Sequence, residues 1–401
     1  MLSVADALAR VLADARALPT VDADLIDAHG RVLADDLKAL RTQPPEAVSA
    51  MDGYAVRSAD IAAVPAQLTV IGEVAAGRPF ERTVGSGEAA RIFTGGVIPV
   101  GADTVVIQEH TTRHDDEVTI TRVAAPGRNI RAAGLDFQAG EILLTRGHRL
   151  SSRDVALAAA MNHANVPIHR PPKVALLATG DELVPPGGAP GPGQIVYSNG
   201  FALKALARSE GAHVIDLGIV PDRLDDTIGA VRQARGAAAD VLVTTGGASV
   251  GDYDLVQRAF AAEGIQLSFW KVAVRPGRPL MHGCLGAMQV LGLPGNPVSA
   301  FVCGLLFLLP LLRTLSGRAD VSLPSESAIL GHDLPANDER ADYLRAGLHH
   351  EADGTLVATP YPTQDSSMVG VLARADCLVI REPYAPAASA GTACRMIRIP
   401  L

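Results

Sequence analysis

The sequence predicts a multidomain α/β protein: a central parallel-sheet α/β unit, a small β-rich domain inserted before it, and a β domain after it. Three observations carry this reading. Apolar strand-like runs alternate with helix-like segments from Lys173 to about Gly317, the pattern of a parallel sheet covered on both faces. Three of those runs break into glycine-rich polar turns, and the flanks on either side switch to short β segments punctuated by Gly and Pro. At 401 residues the chain exceeds one ordinary core, and roughly 150 residues per domain gives two to four domains.

Taken in order, residues 1–45 with 139–172 form an N-terminal helical and linker part. Leu8, Val11, Leu12, Ala15 and Leu18 make an apolar stripe among Asp6, Arg10, Asp14 and Arg16, so one long amphipathic helix is expected, with Ser3 as its cap. A second helix is expected from Ser152 to Met161, packing back on the first. Residues 46–138 read as the small β-rich domain, with strands over 68–74, 89–93, 104–108 and 117–121. Residues 173–320 are the α/β domain: strands at 173–178, 213–218, 240–244, 266–273 and 288–293, helices at 198–210, 222–235, 253–263 and from Pro297. Residues 321–401 are a β domain with strands at 343–348, 355–359, 377–381 and 394–399.

Hydrophobic residues at 48% and charged residues at 19% describe a folded soluble chain. A net charge of -8 offers no footprint for nucleic acid or an anionic membrane. The four cysteines form no C-x-x-C pair and the histidines have no zinc-ligand spacing, which suits a cytoplasmic protein. Ala300 to Leu312 is apolar but short for a membrane span and contains Pro310, so a buried helix is expected there.

The chemistry gathers at the strand ends. Turns at Thr179-Gly180-Asp181-Glu182, Thr245-Gly246-Gly247-Ala248-Ser249-Val250-Gly251 and Leu293-Pro294-Gly295-Asn296-Pro297 follow apolar runs, as do ligand-binding turns at the carboxyl ends of parallel strands. Glycine lets backbone N–H groups approach an anion, so Gly246, Gly247 and Gly295 are candidate phosphate contacts. Asn296-Pro297 is a readable helix start, and its plain reading is capping. Glu182, Asp222, Asp252 and Asp254 each follow a predicted strand, so the sheet would bring them to one edge. Alone, each is an ordinary solvated acid; together they are sufficient to hold Mg2+, which takes one or two carboxylates plus substrate phosphates. Lys271, Arg275 and Arg278 form a basic cluster, with the first two on one side if a single strand runs through them. Phosphate chemistry is the resulting expectation.

Six stretches then resemble the MoeA family of molybdopterin molybdenumtransferases, also found as the E domain of gephyrin: SAMDGYAVR from Ser49, RIFTG from Arg91, TGDEL from Thr179, TGGASVG from Thr245, FWKVAVRPGRP from Phe269 and LPGNPVSA from Leu293. They stand in the family order. The resemblance implies a central domain similar to molybdopterin adenylyltransferases and a homodimer with its site between subunits. The implied reaction cleaves adenylylated molybdopterin with a divalent cation and inserts molybdate, giving molybdenum cofactor and AMP. By motif, the catalytic set is Asp52, Thr94, Asp136, Glu182, Asp222, Asp254, Lys271 and Arg275, with Glu182, Asp222 and Asp254 at the magnesium. Substrate contacts fall on Gly246, Gly247, Ser249, Gly251, Pro294, Gly295, Asn296, Pro297 and Arg278, and on Arg345, Ser366 and Ser367 as oxyanion contacts.

One departure stands out. Where the family commonly has K-P-G-K-P, this chain has Arg275-Pro276-Gly277-Arg278-Pro279, replacing point charges by planar forks. Two other readings stay open: an adenylyltransferase attaching AMP to molybdopterin, and a dimeric scaffold for partner peptides. A separate adenylyltransferase is also a candidate partner that delivers the substrate.

Overall fold

The computed structural model describes residues 1–78, 80–246 and 255–400. A six-stranded sheet occupies the middle of the chain, in the order 213–220, 173–179, 241–245, 288–293, 281–285, 266–269. The first four strands are mutually parallel. The strand Met281–Leu285, which the sequence pattern did not suggest, runs antiparallel to Met288–Leu293 and to Gln266–Phe269. Only Gly286 and Ala287 separate it from Met288–Leu293, and so short a link permits only a hairpin. The sheet is therefore mixed, with a parallel four-strand portion carrying the glycine-rich turns.

Helices cover this sheet on both faces. On one face Leu203, Leu206 and Ala207 pack with Val298, Val302 and Leu305 to Leu309; on the other Ala230, Val231 and Ala234 pack with Val256 and Phe260. The helical run Pro297–Leu315 has the length and hydropathy of a membrane span, yet 89% of it is buried inside the protein. It is longer than the apolar stretch suggested because a π-helical segment, Gly304–Leu308, precedes Pro310. Proline gives no N–H and crowds the preceding turn, and the wider π turn accommodates it. Gly304 is needed there: a Cβ would lie 2.8 Å from Leu203 Cδ2 of the neighbouring helix.

The N-terminal helix is Val4–Ala13, shorter than expected, with Ser3 accepting from the Asp6 N–H as its cap. Its Ala7 and Val11 join the core of the central sheet. The helix Ser152–Ala160 instead packs Ala158 against Ala28, Leu33, Leu37 and Phe137, so the expected packing of the two helices on each other is not found. What returns to the N-terminal segment is the strand Asn165–His169, paired antiparallel with Thr20–Asp24.

The two flanking β regions each form a six-stranded sheet. Gly53–Val56 lies buried within the first, between Glu88–Ile92 and Thr104–Ile107. In the second, Ala341–His350 pairs with both Leu356–Pro360 and Cys377–Arg381, closing the sheet on itself. The segment Val274–Arg275 joins this second sheet, pairing in parallel with Ala341 and Asp342.

Candidate active site

Three turns meet above the parallel strands. Gly246 ends its strand with φ +88°, and a Cβ there would sit 2.3 Å from the Thr179 carbonyl oxygen. A Cβ on Gly295 would lie 3.7 Å from Gly246 Cα. Glycine at Gly246 is thus required twice, by its left-handed backbone and by the close approach of the Thr179 turn. Asn199, at the start of the helix Asn199–Ser209, donates to the Gly295 carbonyl at 2.6 Å, and Tyr197 hydrogen-bonds Thr245. Neither stood out in the sequence, because an isolated Asn or Tyr in a loop carries no spacing signal.

The acidic residues lie at one end of this rim. Glu182 folds back over Gly180, so that a Cβ on that glycine would lie 2.7 Å from Glu182 Oε2. Gly180 N–H bonds the Val220 carbonyl, and the Asp222 N–H donates to Asp181 Oδ1 at 3.1 Å. Asp181, Glu182 and Asp222 are all exposed. Partial loss of water, and after it the negative charges of Asp181 and Glu182, lift the Asp222 carboxyl above the ordinary aspartate range. Asp181 is a member of this cluster that sequence reasoning passed over, although it sits beside Glu182. Among the described residues no three His, Cys, Asp or Glu side chains form a metal-holding group. Gly247, Ser249, Gly251, Asp252 and Asp254 lie outside the described residues.

The other end reaches the C-terminal sheet through Asn296. This residue sits at the helix start, but its side chain makes no capping bond. Its Nδ2 donates instead to Ser366 Oγ at 2.9 Å, while the Val298 N–H donates to the Ser366 carbonyl at 3.1 Å. The capping reading of Asn296 is thereby replaced by a bridge between sheets, with Pro297 at the first helical position and Pro294 buried ahead of it. Ser367 turns to Asp365, donating from N–H at 2.8 Å and from Oγ at 2.5 Å. Next to it Arg345 is fully buried and gives Nη1–H to the Asp365 carbonyl at 2.8 Å. Thr179, Gly246, Gly295, Asn296 and Ser366 therefore lie side by side, and the carbonyl of Asp365, next to Ser366 in the chain, links them to Arg345.

The basic residues are arranged differently from the expectation. The sheet strand stops at Phe269, and Arg275 belongs to the C-terminal sheet, so no single strand carries Lys271 and Arg275. Lys271 Nζ lies 4.5 Å from the Trp270 ring centre, a cation–π contact. The Arg275 fork bonds Asp338 at 3.0 Å, Asn337 at 2.9 Å and Asp342. Burial pushes the Asp342 carboxyl up, against the pull of Arg275. Arg278 is exposed, and its carbonyl accepts from Val272 and Leu280.

Asp52 and Thr94 pair within the inserted sheet region: Asp52 Oδ1 accepts from the Thr94 N–H at 2.7 Å and from its hydroxyl at 2.8 Å. Those bonds hold the Asp52 carboxyl below its usual range. Nearby Arg91 stacks over Tyr54 and Phe93 and donates to the Gly53 carbonyl at 3.1 Å. Asp136 is exposed, its N–H bonded to the Gln43 carbonyl. Among the described residues no hydrogen bond or ion pair joins Asp52, Thr94 or Asp136 to the central rim.

Comparison with known proteins agrees along the whole chain. Residues 2–162 match the family description "MoeA N-terminal region (domain I and II)", 175–314 match "Probable molybdopterin binding domain", and 327–399 match "MoeA C-terminal region (domain IV)". The molybdopterin molybdenumtransferase of a Nostoc species is 39% identical over 81% of this chain and 76% of its own length. That of Haemophilus influenzae is 35% identical over 92% and 91%. The crystal structure of the molybdopterin biosynthesis MoeA protein of Pyrococcus horikoshii superposes with a TM-score of 0.85, at 30% identity, over 99% of both chains. The chain belongs to the MoeA family, the molybdopterin molybdenumtransferases.

Proposed function

We propose that this protein is a molybdenum insertase: it binds adenylylated molybdopterin and molybdate together, cleaves the adenylate, and releases AMP and molybdenum cofactor. The observation that carries this reading is the path from Thr179 through Gly246, Gly295 and Asn296 to Ser366, and through its chain neighbour Asp365 to Arg345. It joins an acidic end and a basic end across backbone suited to phosphate. A polyanionic nucleotide needs both, and two reactants held in one cleft gain proximity.

Within this reading the glycine turns at Gly246 and Gly295 present backbone to the phosphates without a Cβ in the way. Lys271, Arg275, Arg278 and Arg345 supply positive charge for molybdate, with Ser366 and Ser367 as neutral contacts. Mg2+ suits the acidic end, since the donors are carboxylate oxygens and a cation would relieve both the partial loss of water and the like charges that lift Asp222. Glu182 and Asp222 would hold it, with Asp254 as the third acidic residue that the family motif assigns. When bound, such a cation acts as a Lewis acid on the anhydride charge. We place the protein in the cytoplasm as a homodimer, in which Asp52, Thr94 and Asp136 of one subunit complete the rim of the other.

The test is incubation of purified protein with adenylylated molybdopterin, Mg2+ and molybdate, following AMP release and molybdenum retained on the pterin. Molybdate-dependent AMP release is expected. ATP consumption with free molybdopterin, and none of the former, would favour an adenylyltransferase instead.

A further inference from the structure

Arg345 differs from the other bases in what holds it. It is 0% exposed, yet among the described residues no carboxylate forms a hydrogen bond or ion pair with it. Its principal partner is Gln364, a residue no motif singles out. Gln364 Oε1 accepts from the Arg345 backbone N–H at 2.9 Å and from Nε–H at 3.1 Å. The same amide donates through Nε2 to the Arg345 carbonyl at 3.0 Å and to the Tyr361 carbonyl at 2.8 Å. One neutral side chain thus fixes both the backbone and the fork of the arginine. Asp365 is close in sequence, but its carboxylate accepts from Ser367.

Two consequences follow. Because its hydrogen-bond partners are an amide and a carbonyl, the guanidinium has no bonded counter-ion among the described residues and feels Asp365 only at longer range, whereas Arg275 is bonded to Asp338 and Asp342. Also, Arg345 Nη2 is buried with no hydrogen-bond partner among the described residues. An interior donor without an acceptor is costly, and a charged one more so. The same loop carries Ser366 onto Asn296, so this donor stands one link from the glycine rim. Gln364 further lines a cavity of about 540 Å³ together with Arg275 and Asp342.

We propose that Gln364 is a positioning residue for oxyanion binding: it holds Arg345 by a neutral clamp that leaves the guanidinium without a bonded counter-ion and its Nη2 donor for molybdate. This rests on the reading of Arg345 as an oxyanion contact. A glutamate here would keep the shape and supply the competing anion that the natural residue withholds.

The experiment is AMP release against molybdate concentration for Gln364→Glu, Arg345→Ala and the double variant. For Gln364→Glu the half-saturating molybdate concentration should rise about tenfold or more, the size of one close charge competitor. The rate at saturating molybdate should stay within about twofold, and binding of adenylylated molybdopterin should be unchanged, since a competing charge acts on the anion alone. The double variant should move no further than Arg345→Ala, because both act through one group. A lower melting temperature is expected on either reading, because glutamate loses the two Nε2 donations, but a purely structural role would scale the rate down at every molybdate concentration without moving the midpoint. An unmoved molybdate midpoint in Gln364→Glu, with a raised one in Arg345→Ala, overturns the role of Gln364. An unmoved midpoint in Arg345→Ala overturns the underlying reading instead. If Gln364→Glu does not fold, Gln364→Met removes the clamp without adding charge; its midpoint should rise about threefold, and an unchanged value would count against the proposal.

Discussion

The acidic and basic ends of the central rim are built in opposite ways. Asp181, Glu182 and Asp222 are exposed, crowd one another, and among the described residues share only a backbone hydrogen bond; partial loss of water and then the like charges lift Asp222. Three of the bases are engaged: Lys271 over an indole, Arg275 in a fork of three partners, Arg345 in an amide clamp. Exposed like charges suit a hydrated cation that arrives with its substrate, because the repulsion is relieved only when the cation binds. Fixed guanidinium groups suit a small oxyanion, because their orientation is settled before the ligand arrives.

Breaking the acidic end should give the largest effect. Glu182→Gln is expected to lower cation-dependent AMP release about a hundredfold, the order lost with one charge-stabilising contact. Steady-state kinetics across Mg2+ concentrations would check it, and the melting temperature should hardly move because the side chain is exposed. Gly246→Ala probes the junction between the two ends. Its Cβ has no room beside the Thr179 carbonyl and its φ is +88°, so a loss of about 1–3 kcal/mol is expected from urea unfolding.

Arg275→Ala sharpens the contrast from the basic side. It leaves the buried Asp342 without its cation, while Arg275 itself is partly exposed. A stability loss of about 1–3 kcal/mol is expected, below the value for a fully buried pair. Removing Asp342 as well, by Asp342→Asn in the same chain, should recover part of it. The smallest effect concerns His332, whose ring nitrogens face the carbonyls of Asp333 and Pro360 at 2.8 and 2.6 Å. Both carbonyls raise its pKa, so the stabilisation is complete below the unfolded value of about 6.5 and fades as pH rises through the higher folded value. Wild type should exceed His332→Asn by about 1 kcal/mol at pH 5.5 and by less at pH 8.5.

Much of the α/β unit was legible because its signals are local. Val174 to Leu177 and Val241 to Val243 are buried apolar runs, and the turns after them contain the glycines their backbone demands. The hairpin strand Met281–Leu285 was not legible, since His282, Gly283 and Cys284 break the apolar pattern; the buried His282 is paired to Gln289 across the sheet. The division of 266–275 between two sheets was hidden for a related reason: nothing local marks where a strand changes partners. Likewise Asn296 reads as a cap from its neighbours, whereas its actual partner, Ser366, lies 70 positions away. Gln364 could not be found at all without coordinates, because its meaning lies wholly in the buried arginine it touches.

The most direct test titrates Mg2+ and molybdate separately in the AMP-release assay, with Glu182→Gln set beside Arg345→Ala. The account predicts that the first variant shifts the Mg2+ curve and leaves the molybdate midpoint in place, and that the second does the reverse. Variants that shift both curves together, or neither, would contradict a rim with one end for the cation and the other for the oxyanion.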